Sequence, residues 1–369
     1  MCQRRQVPQI SGRHLSLTAS PQRTLSTDFS KPHSAPSCAG QDQEMKIEER
    51  LAKLSARLTG RPARRERDIH ADNPQSLVHV HHGWYVERGF LKTLRHEDRH
   101  LLRLIAVHRA AHHPPVFSHL SAAVLLDLPV YSRVDSLVHI NVSRSGGRSK
   151  RNSAGVLRHQ SPLYDHEVVT VQGMRCTSPE RTVLDLCKSA PAETAIACAD
   201  GFLRSEFRVH RAIDDQRLGE WRQDIDRQLH DQRGARGVRA AKRLLSLATP
   251  VTDSVLESVS HLQLRRLAFE VALQVPVPGP GGVTYFVDFE LLGLRLFGEC
   301  DGKQKYTDAR FRNGKTADEV VYIEKRRSEW ISTRTGNGFV RWGYPEVPTA
   351  LHFARWLHAA SVPVPRWPR

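Results

Sequence analysis

The run TYFVDFELLGLRLFGECDG, residues 284–302, constrains this 369-residue chain more than any other stretch. Its apolar residues fall into two segments broken at Leu292 and Gly293, the pattern of two strands joined by a tight turn. The strands are expected from about Val283 to Glu290 and from Leu294 to Cys300. Side chains alternate across a strand, so Phe286 and Asp288 share a face of the first, and Phe297, Glu299 and Asp301 a face of the second. Asp288 and Glu299 then stand directly opposite or diagonally, about 5–8 Å apart at Cβ. Two such carboxylates in a largely apolar hairpin repel each other and lose hydration. A divalent cation held by Asp288, Glu299 and Asp301 answers both costs. Pairing of Glu299 and Asp301 with arginine or lysine at an exposed strand end is the other solution.

The flanks extend this unit. SVLESVSHLQLRRLAFE reads as a helix turning Val255, Val259, Leu262 and Leu267 to a core, with Glu257 near its start. Strand EVALQVPV and a Pro/Gly turn at 278–282 lead into the hairpin, and a helix (DEVVYIEKRRSEW) and a strand (FVRWGYPEV) follow it.

The chain is too long for one ordinary core, so two or three domains are expected. Lys and Arg number 55 against 39 Asp and Glu, a net charge of +16 that favours polyanionic partners, nucleic acid first. Between Asp135 and Asp165 no acidic residue occurs, and Arg144, Arg148, Lys150 and Arg151 crowd one loop. That loop suits phosphate contact or simple solvation. Six cysteines without a CxxC pair suggest neither a zinc ribbon nor a disulfide framework and fit a reducing cytoplasm. No apolar run has the length to cross a bilayer and the N-terminus lacks the order of a secretion signal, so a cytoplasmic protein with no membrane partner is expected.

Residues 1–44 have the Ser-, Pro- and Gln-rich composition of a disordered segment. Met45, a candidate translation start, opens a helical pattern with Ile47, Leu51, Leu54 and Leu58. SLVHVHHGWYV reads as a hairpin or wing around Gly83. A helix from about Glu97 to Ala111, carrying Leu101, Leu104, Ile105 and His108 on one face, stops at Pro114 and Pro115. HLSAAVLLDL gives a short helix with Ser118 as N-cap, followed by strands LVHINV, GVLRHQ and HEVVTVQGMRCT. TSPERTVLDLCKSA starts a helix with Ser178 as N-cap and Pro179 at the first position. Helices continue through ETAIACADGFLRS and ARGVRAAKRLLSLA; in the latter Val238, Leu244 and Leu245 form an apolar stripe, and Arg236, Arg239, Lys242 and Arg243 a solvated face.

Two resemblances rest on these motifs. From about Leu77 to Ser205, the segments HHGWYV, HLSAAVLLDLPV, VHINVSRSGGR, GMRCTSPERTVLDL and ADGFLRS resemble the antitoxins of type IV toxin–antitoxin systems, the AbiEi-like family. The resemblance implies a winged helix-turn-helix that binds operator DNA, an α/β domain behind it, and a nucleotidyltransferase-type toxin as partner. Between Leu58 and the wing, however, TGRPARRERDIHADNPQS has no apolar periodicity, so its arginines, Arg61, Arg64, Arg65 and Arg67, are suited to tracking phosphate rather than reading bases.

The second resemblance lies in VDF (Asp288), ECDG (Glu299 to Gly302), Tyr306, EKRRSEW and FVRWGYPEV, which look like the PD-(D/E)xK nuclease fold in the branch of very-short-patch repair endonucleases and DUF559 domains. It implies Mg²⁺-dependent, or Mn²⁺-dependent, phosphodiester hydrolysis with Asp288 and Glu299 as metal ligands, and Glu257 as the acid of the first helix. A cation normally follows two residues after that glutamate. Asp301 stands there instead, leaving Lys303, Lys305 or Lys325 as substitutes.

The expected architecture is therefore α/β (α+β). Residues 1–44 are disordered, 45–95 form a degenerate winged-helix-like segment, 96–250 an AbiEi-like α/β domain with a helical connection, and 251–369 a restriction-endonuclease-like domain. HEDRH, residues 96–100, formally matches the HExxH zinc pattern but sets Asp98 and Arg99 between its histidines and suits a polar helix start. Two functions follow: a DNA-binding protein with a metal-dependent endonuclease domain, or an antitoxin-like transcriptional regulator whose nuclease fold is catalytically inactive.

Overall fold

Helix α1, Ile47–Arg57, buries Leu51 and Leu54 as its spacing predicts, and also Arg50. The Arg50 guanidinium reaches Asp98 at 2.9 Å and Asp127 at 2.6 Å, so its burial rests on two acids brought from distant turns. The computed structural model describes residues 46–60, 73–131, 137–142, 155–301 and 317–368. Strands β1 (Leu77–His81) and β2 (Trp84–Glu87) form the expected wing, with Gly83 at φ +77° in its turn. After α2 (Arg88–Thr93) comes α3, His96–Ala110. More of α3 is buried than one stripe, Leu102 and Val107 included, because α1 and β1 pack against it as well as the elements that follow. The HEDRH pattern separates here: His96 is exposed, Asp98 pairs with Arg50, and His100 is buried against the Ser121 hydroxyl.

A five-stranded mixed sheet follows, in the order β5-β4-β3-β7-β6, from β3 (Val116–Phe117), β4 (Val138–Asn141), β5 (Val156–His159), β6 (Val168–Val171) and β7 (Met174–Thr177). The stretch HEVVTVQGMRCT is thus two strands, turning at Gln172 and Gly173, both with positive φ. Helix α4, His119–Leu125, packs beside β4; Ser118 occupies its N-cap without a side-chain capping bond. The Ser178 hydroxyl does cap α5, Pro179–Ser189, accepting from the Arg181 N–H.

Helices α6 (Ala192–Phe207), α7 (Asp215–Asp231) and α8 (Val238–Leu247) share a core with α5. On α8 the buried stripe is Val238, Ala241, Leu244 and Leu245, and Arg239, Lys242 and Arg243 are solvated as expected. The fully buried Asp200 on α6 accepts hydrogen bonds from the Thr249 N–H (2.8 Å) and the Thr252 hydroxyl (3.1 Å), fastening this layer to the segment that opens α9, Val255–Arg266.

The last sheet runs β10-β11-β12-β13: β10 (Val271–Pro278), β11 (Thr284–Leu291) and β12 (Leu296–Cys300) are antiparallel, and β13 (Gly338–Trp342) lies parallel to β12 after the crossover helix α10, Ala317–Thr335. Phe289, Leu291 and Trp342 pack with α9 and with α11 (Ala350–Ala359), while Val277, Val287 and Phe297 pack on Ile331 of α10. The chain is mixed α/β, and among the described residues no helix is long and apolar enough to cross a membrane.

Two consequences can be measured. A methyl group at Gly298 would lie 2.2 Å from Cη2 of the buried Trp342, so Gly298→Ala is expected to destabilise the chain by about 1–3 kcal/mol in urea denaturation. Burial pushes the Asp200 carboxyl up to about 7. Between about pH 4 and pH 7 the unfolded chain releases this proton while the native chain keeps it, so stability falls as pH rises, by up to about 1.4 kcal/mol per unit, and levels off above. Asp200→Asn should flatten that part of the stability–pH curve relative to the parent.

Candidate functional site

The hairpin forms as its sequence pattern requires. The Leu294 N–H donates to the Leu291 carbonyl across the turn, and Gly293 supplies the positive φ, +82°, that the bend demands. Regular pairing of β11 with β12 ends at Phe289↔Gly298. One further step in the same register sets Asp288 opposite Glu299. Beyond that point the Asp288 carboxylate replaces the backbone as acceptor, taking the Cys300 N–H at 2.8 Å.

Across β11 from Asp288, the partner strand carries a strained residue. Gln274 of β10 has φ +48°, uncommon for a residue with a Cβ, and the sheet's two apolar clusters divide at this level: Leu273 and Phe289 join one, Val275 and Val287 the other. The Gln274 amide nitrogen donates to Glu257 (2.9 Å) and lies 3.4 Å from Asp288, while its oxygen accepts from Arg211 (3.0 Å). Asp288 and Glu257, far apart in sequence, are thus bridged by one side chain that sequence reasoning did not single out.

Glu257 also has a full structural task. It is the third residue of α9, accepting from the Ser254 hydroxyl and the Asp253 N–H, while the Ser254 oxygen accepts from the Glu257 N–H. This is close to a capping box, with the backbone donor supplied one residue earlier. Burial raises its carboxyl above the ordinary range, with the charge of Asp253 acting in the same direction.

Glu299 is buried, and its two oxygens face two arginines. Arg327 Nη1 reaches Oε1 at 2.7 Å, and Arg341 Nε reaches Oε2 at 3.0 Å. Both follow from topology. Parallel pairing puts Arg341 of β13 beside Glu299 in register, and α10, crossing the sheet, presents Arg327. Arg327 also donates to the Phe286 carbonyl (2.6 Å) and pairs with Glu324 (2.8 Å). Burial disfavours its charge, but Glu299 and Glu324 outweigh that and hold it firmly protonated.

The remaining expected residues are placed differently. Asp301 follows β12, half-buried, with its N–H donating to the Trp342 carbonyl. Lys325, two positions from Arg327 on α10, points to the other side, exposed and 3.9 Å from Glu329. Lys303 and Lys305 lie outside the described residues, as do Tyr306, Arg61, Arg64, Arg65 and Arg67, and the basic loop residues Arg144, Arg148, Lys150 and Arg151.

A magnesium ion favours an all-oxygen donor set, and Asp288, Glu299 and Asp301, with Glu257 nearby, supply that chemistry. Their arrangement does not fit the ion. Both Glu299 oxygens are held by guanidinium groups, and both Glu257 oxygens by the start of α9 and Gln274. Admission of a cation would require an arginine to leave Glu299. Elsewhere among the described residues, one group of three potential metal ligands comes together, His119, His139 and His159.

No family model matches the chain. It is similar to two uncharacterized proteins of Mycobacterium tuberculosis, one from strain CDC 1551 / Oshkosh and one from strain ATCC 25618 / H37Rv, each 29% identical over 156 residues, 42% of this chain. The match spans 52% of the length of each relative.

The clamp on Glu299 can be tested by stability. Arg327→Ala strips a buried carboxylate of one partner and the Phe286 carbonyl of its donor, and should cost about 2–3 kcal/mol in urea denaturation, less than a fully broken buried pair because Arg341 remains. Arg327→Lys should recover only part of this, since an ammonium cannot reproduce the forked contact to both acceptors.

Proposed function

We propose that the chain is a nucleic-acid-binding, antitoxin-like regulator in which a nuclease-type C-terminal fold serves as a binding platform rather than a phosphodiesterase. The observation that carries this reading is the double arginine clamp on Glu299, which satisfies within the protein the carboxylate that a catalytic cation would need. The excess of 16 positive charges supplies the driving force for a polyanionic partner, by releasing condensed counterions from the phosphates. The family resemblance adds operator DNA as that partner and a nucleotidyltransferase-type toxin as a second one.

A metal-dependent endonuclease is the competing reading, and a separate observation favours it. The helix, three antiparallel strands, crossover helix and parallel strand follow one another as a PD-(D/E)xK nuclease requires, and the strained Gln274 sits beside Asp288. Strain retained in a folded protein clusters at functional sites. Under this reading Asp288 and Glu299 would hold Mg²⁺ or Mn²⁺, which would supply Lewis-acid activation of the phosphate and of water.

Fluorescence anisotropy with duplex DNA tests the shared premise: affinity should fall at least tenfold between about 50 and 200 mM salt, and an affinity indifferent to salt would remove nucleic acid as the partner. Incubation of supercoiled, mismatched and single-stranded DNA with Mg²⁺ or Mn²⁺ separates the two readings. No cleavage is expected from the parent. Cleavage by the parent that disappears in both Asp288→Ala and Glu299→Ala would overturn the platform reading and establish the endonuclease.

A further inference from the structure

Three histidines spaced far apart in the sequence meet on the five-stranded sheet. His119 begins α4, His139 lies in β4 and His159 ends β5. One ligating nitrogen from each falls within 4.8 Å of the others. His139 Nδ1 and His159 Nε2 are 3.0 Å apart, and the His119 ring stacks on that of His159 with centroids 3.6 Å apart. We propose that His119, His139 and His159 form a binding site for a divalent transition-metal ion, zinc foremost, with a fourth coordination position open.

Geometry supports this first. Zinc–nitrogen bonds of about 2.0–2.1 Å put tetrahedral ligand nitrogens about 3.3 Å apart, close to the present His139–His159 separation. A ligating nitrogen of His119 lies within 4.8 Å of those of both other histidines. The backbones are fixed: Ser121 Oγ accepts from the His139 N–H (2.8 Å) while also bonding His100, the His139 carbonyl accepts from the Ser118 N–H, and the His159 carbonyl accepts from the Val142 N–H. Ligands held this way lose little freedom on binding an ion.

The hydrogen bonding around His119 fits as well. Its Nδ1 lies 3.0 Å from Ser118 Oγ. With the proton on Nδ1 and the hydroxyl accepting it, Nε2 presents its lone pair, the tautomer that metal-binding histidines commonly adopt. His119 also stands at φ +51°, a left-handed conformation that few residues other than glycine adopt, yet it is buried at the start of α4.

The charge state is suitable too. Burial holds the imidazole of His119 down at about 3 and that of His159 at about 4, with neighbouring histidines adding to both. The neutral imidazole is the form that ligates metal. Of the cations that bear on His119, Arg181 is paired with Glu167 (2.8 Å) and Asp185 (3.1 Å), which offsets its repulsion of an incoming ion. Nitrogen donors with no carboxylate among them select zinc, cobalt, nickel or copper over magnesium.

The test uses the full chain freed of metal by chelator. Calorimetric titration with Zn²⁺ should give one equivalent per chain, unaffected by millimolar Mg²⁺, and Co²⁺ should give visible absorption of low-coordinate nitrogen ligation. His119→Ala and His159→Gln should each weaken binding by about 10-fold or more, and Zn²⁺ should raise the melting temperature of the parent but not of these variants. His82→Ala, in the turn of the wing, should leave binding unchanged. Absence of stoichiometric binding by the parent, or binding by both site variants as tight as the parent's, would overturn the proposal. If those variants fail to fold, zinc-edge X-ray absorption of the loaded parent decides: three imidazole ligands support the site, and fewer overturn it.

Discussion

Burial of Glu299 is the constraint around which the C-terminal sheet is arranged. A carboxylate taken out of water is unstable unless opposite charge and hydrogen-bond donors reach it. Antiparallel β11 brings Asp288, another acid, to its side, so the compensation has to come from the opposite edge and from above. Parallel β13 delivers Arg341 in register, and the crossover helix α10 delivers Arg327. A parallel strand requires such a crossover, and the same α10 that closes the connection covers Val287 and Phe297 with Ile331. Charge neutralisation and apolar burial therefore select one placement of α10.

The same solution recurs through the chain. Arg50 holds Asp98 and Asp127, Arg181 holds Glu167 and Asp185, and Arg208 holds Asp253. Each joins segments distant in sequence, using the several fixed donors of a guanidinium where an ammonium would serve fewer acceptors. The net charge of +16 is unaffected by such pairs, since each neutralised arginine also consumes an acid. They do change which cations remain for phosphate. Arg327 and Arg341 are engaged internally, whereas Arg239, Lys242 and Arg243 stay in solvent.

Sequence reading reached whatever depends on local rules. The hairpin with its Gly293 bend, the wing around Gly83, the Ser178 cap and the α8 stripe each rest on residues a few positions apart. Helix α7 was equally open to it, with Leu218, Trp221, Ile225 and Leu229 at helical spacing, but these are thinly scattered among polar residues. The clamp on Glu299 was not accessible in this way. EKRRSEW offers three consecutive cations, and only the phase of α10 against the sheet decides that Arg327 turns inward and Lys325 outward. Gln274 was hidden for a similar reason, because its role depends on a backbone strain that no residue preference announces. His119, His139 and His159 sit about twenty residues apart on a helix and two strands, and no spacing rule links them until the parallel pairing of β4 with β5 and the antiparallel pairing of β4 with β3 fold them together.

The acidic cluster and the histidine cluster are opposite cases of one electrostatic problem. Carboxylates are charged at neutral pH and must be answered when buried, so the fold supplies arginines, and the answer occupies the lone pairs that a hard cation would use. Imidazoles can instead be buried by giving up their proton, and burial lowers the proton affinity of His119 and His159 in this direction. No counter-charge is then needed, and imidazole nitrogens that are not protonated keep lone pairs able to ligate. An ion entering the first site must displace an arginine from Glu299, whereas one entering the second exchanges a hydrogen bond between two imidazoles for coordination bonds. The chain's metal chemistry is therefore expected where its charges are absent rather than where its acids are concentrated, and for a nitrogen-seeking ion rather than magnesium.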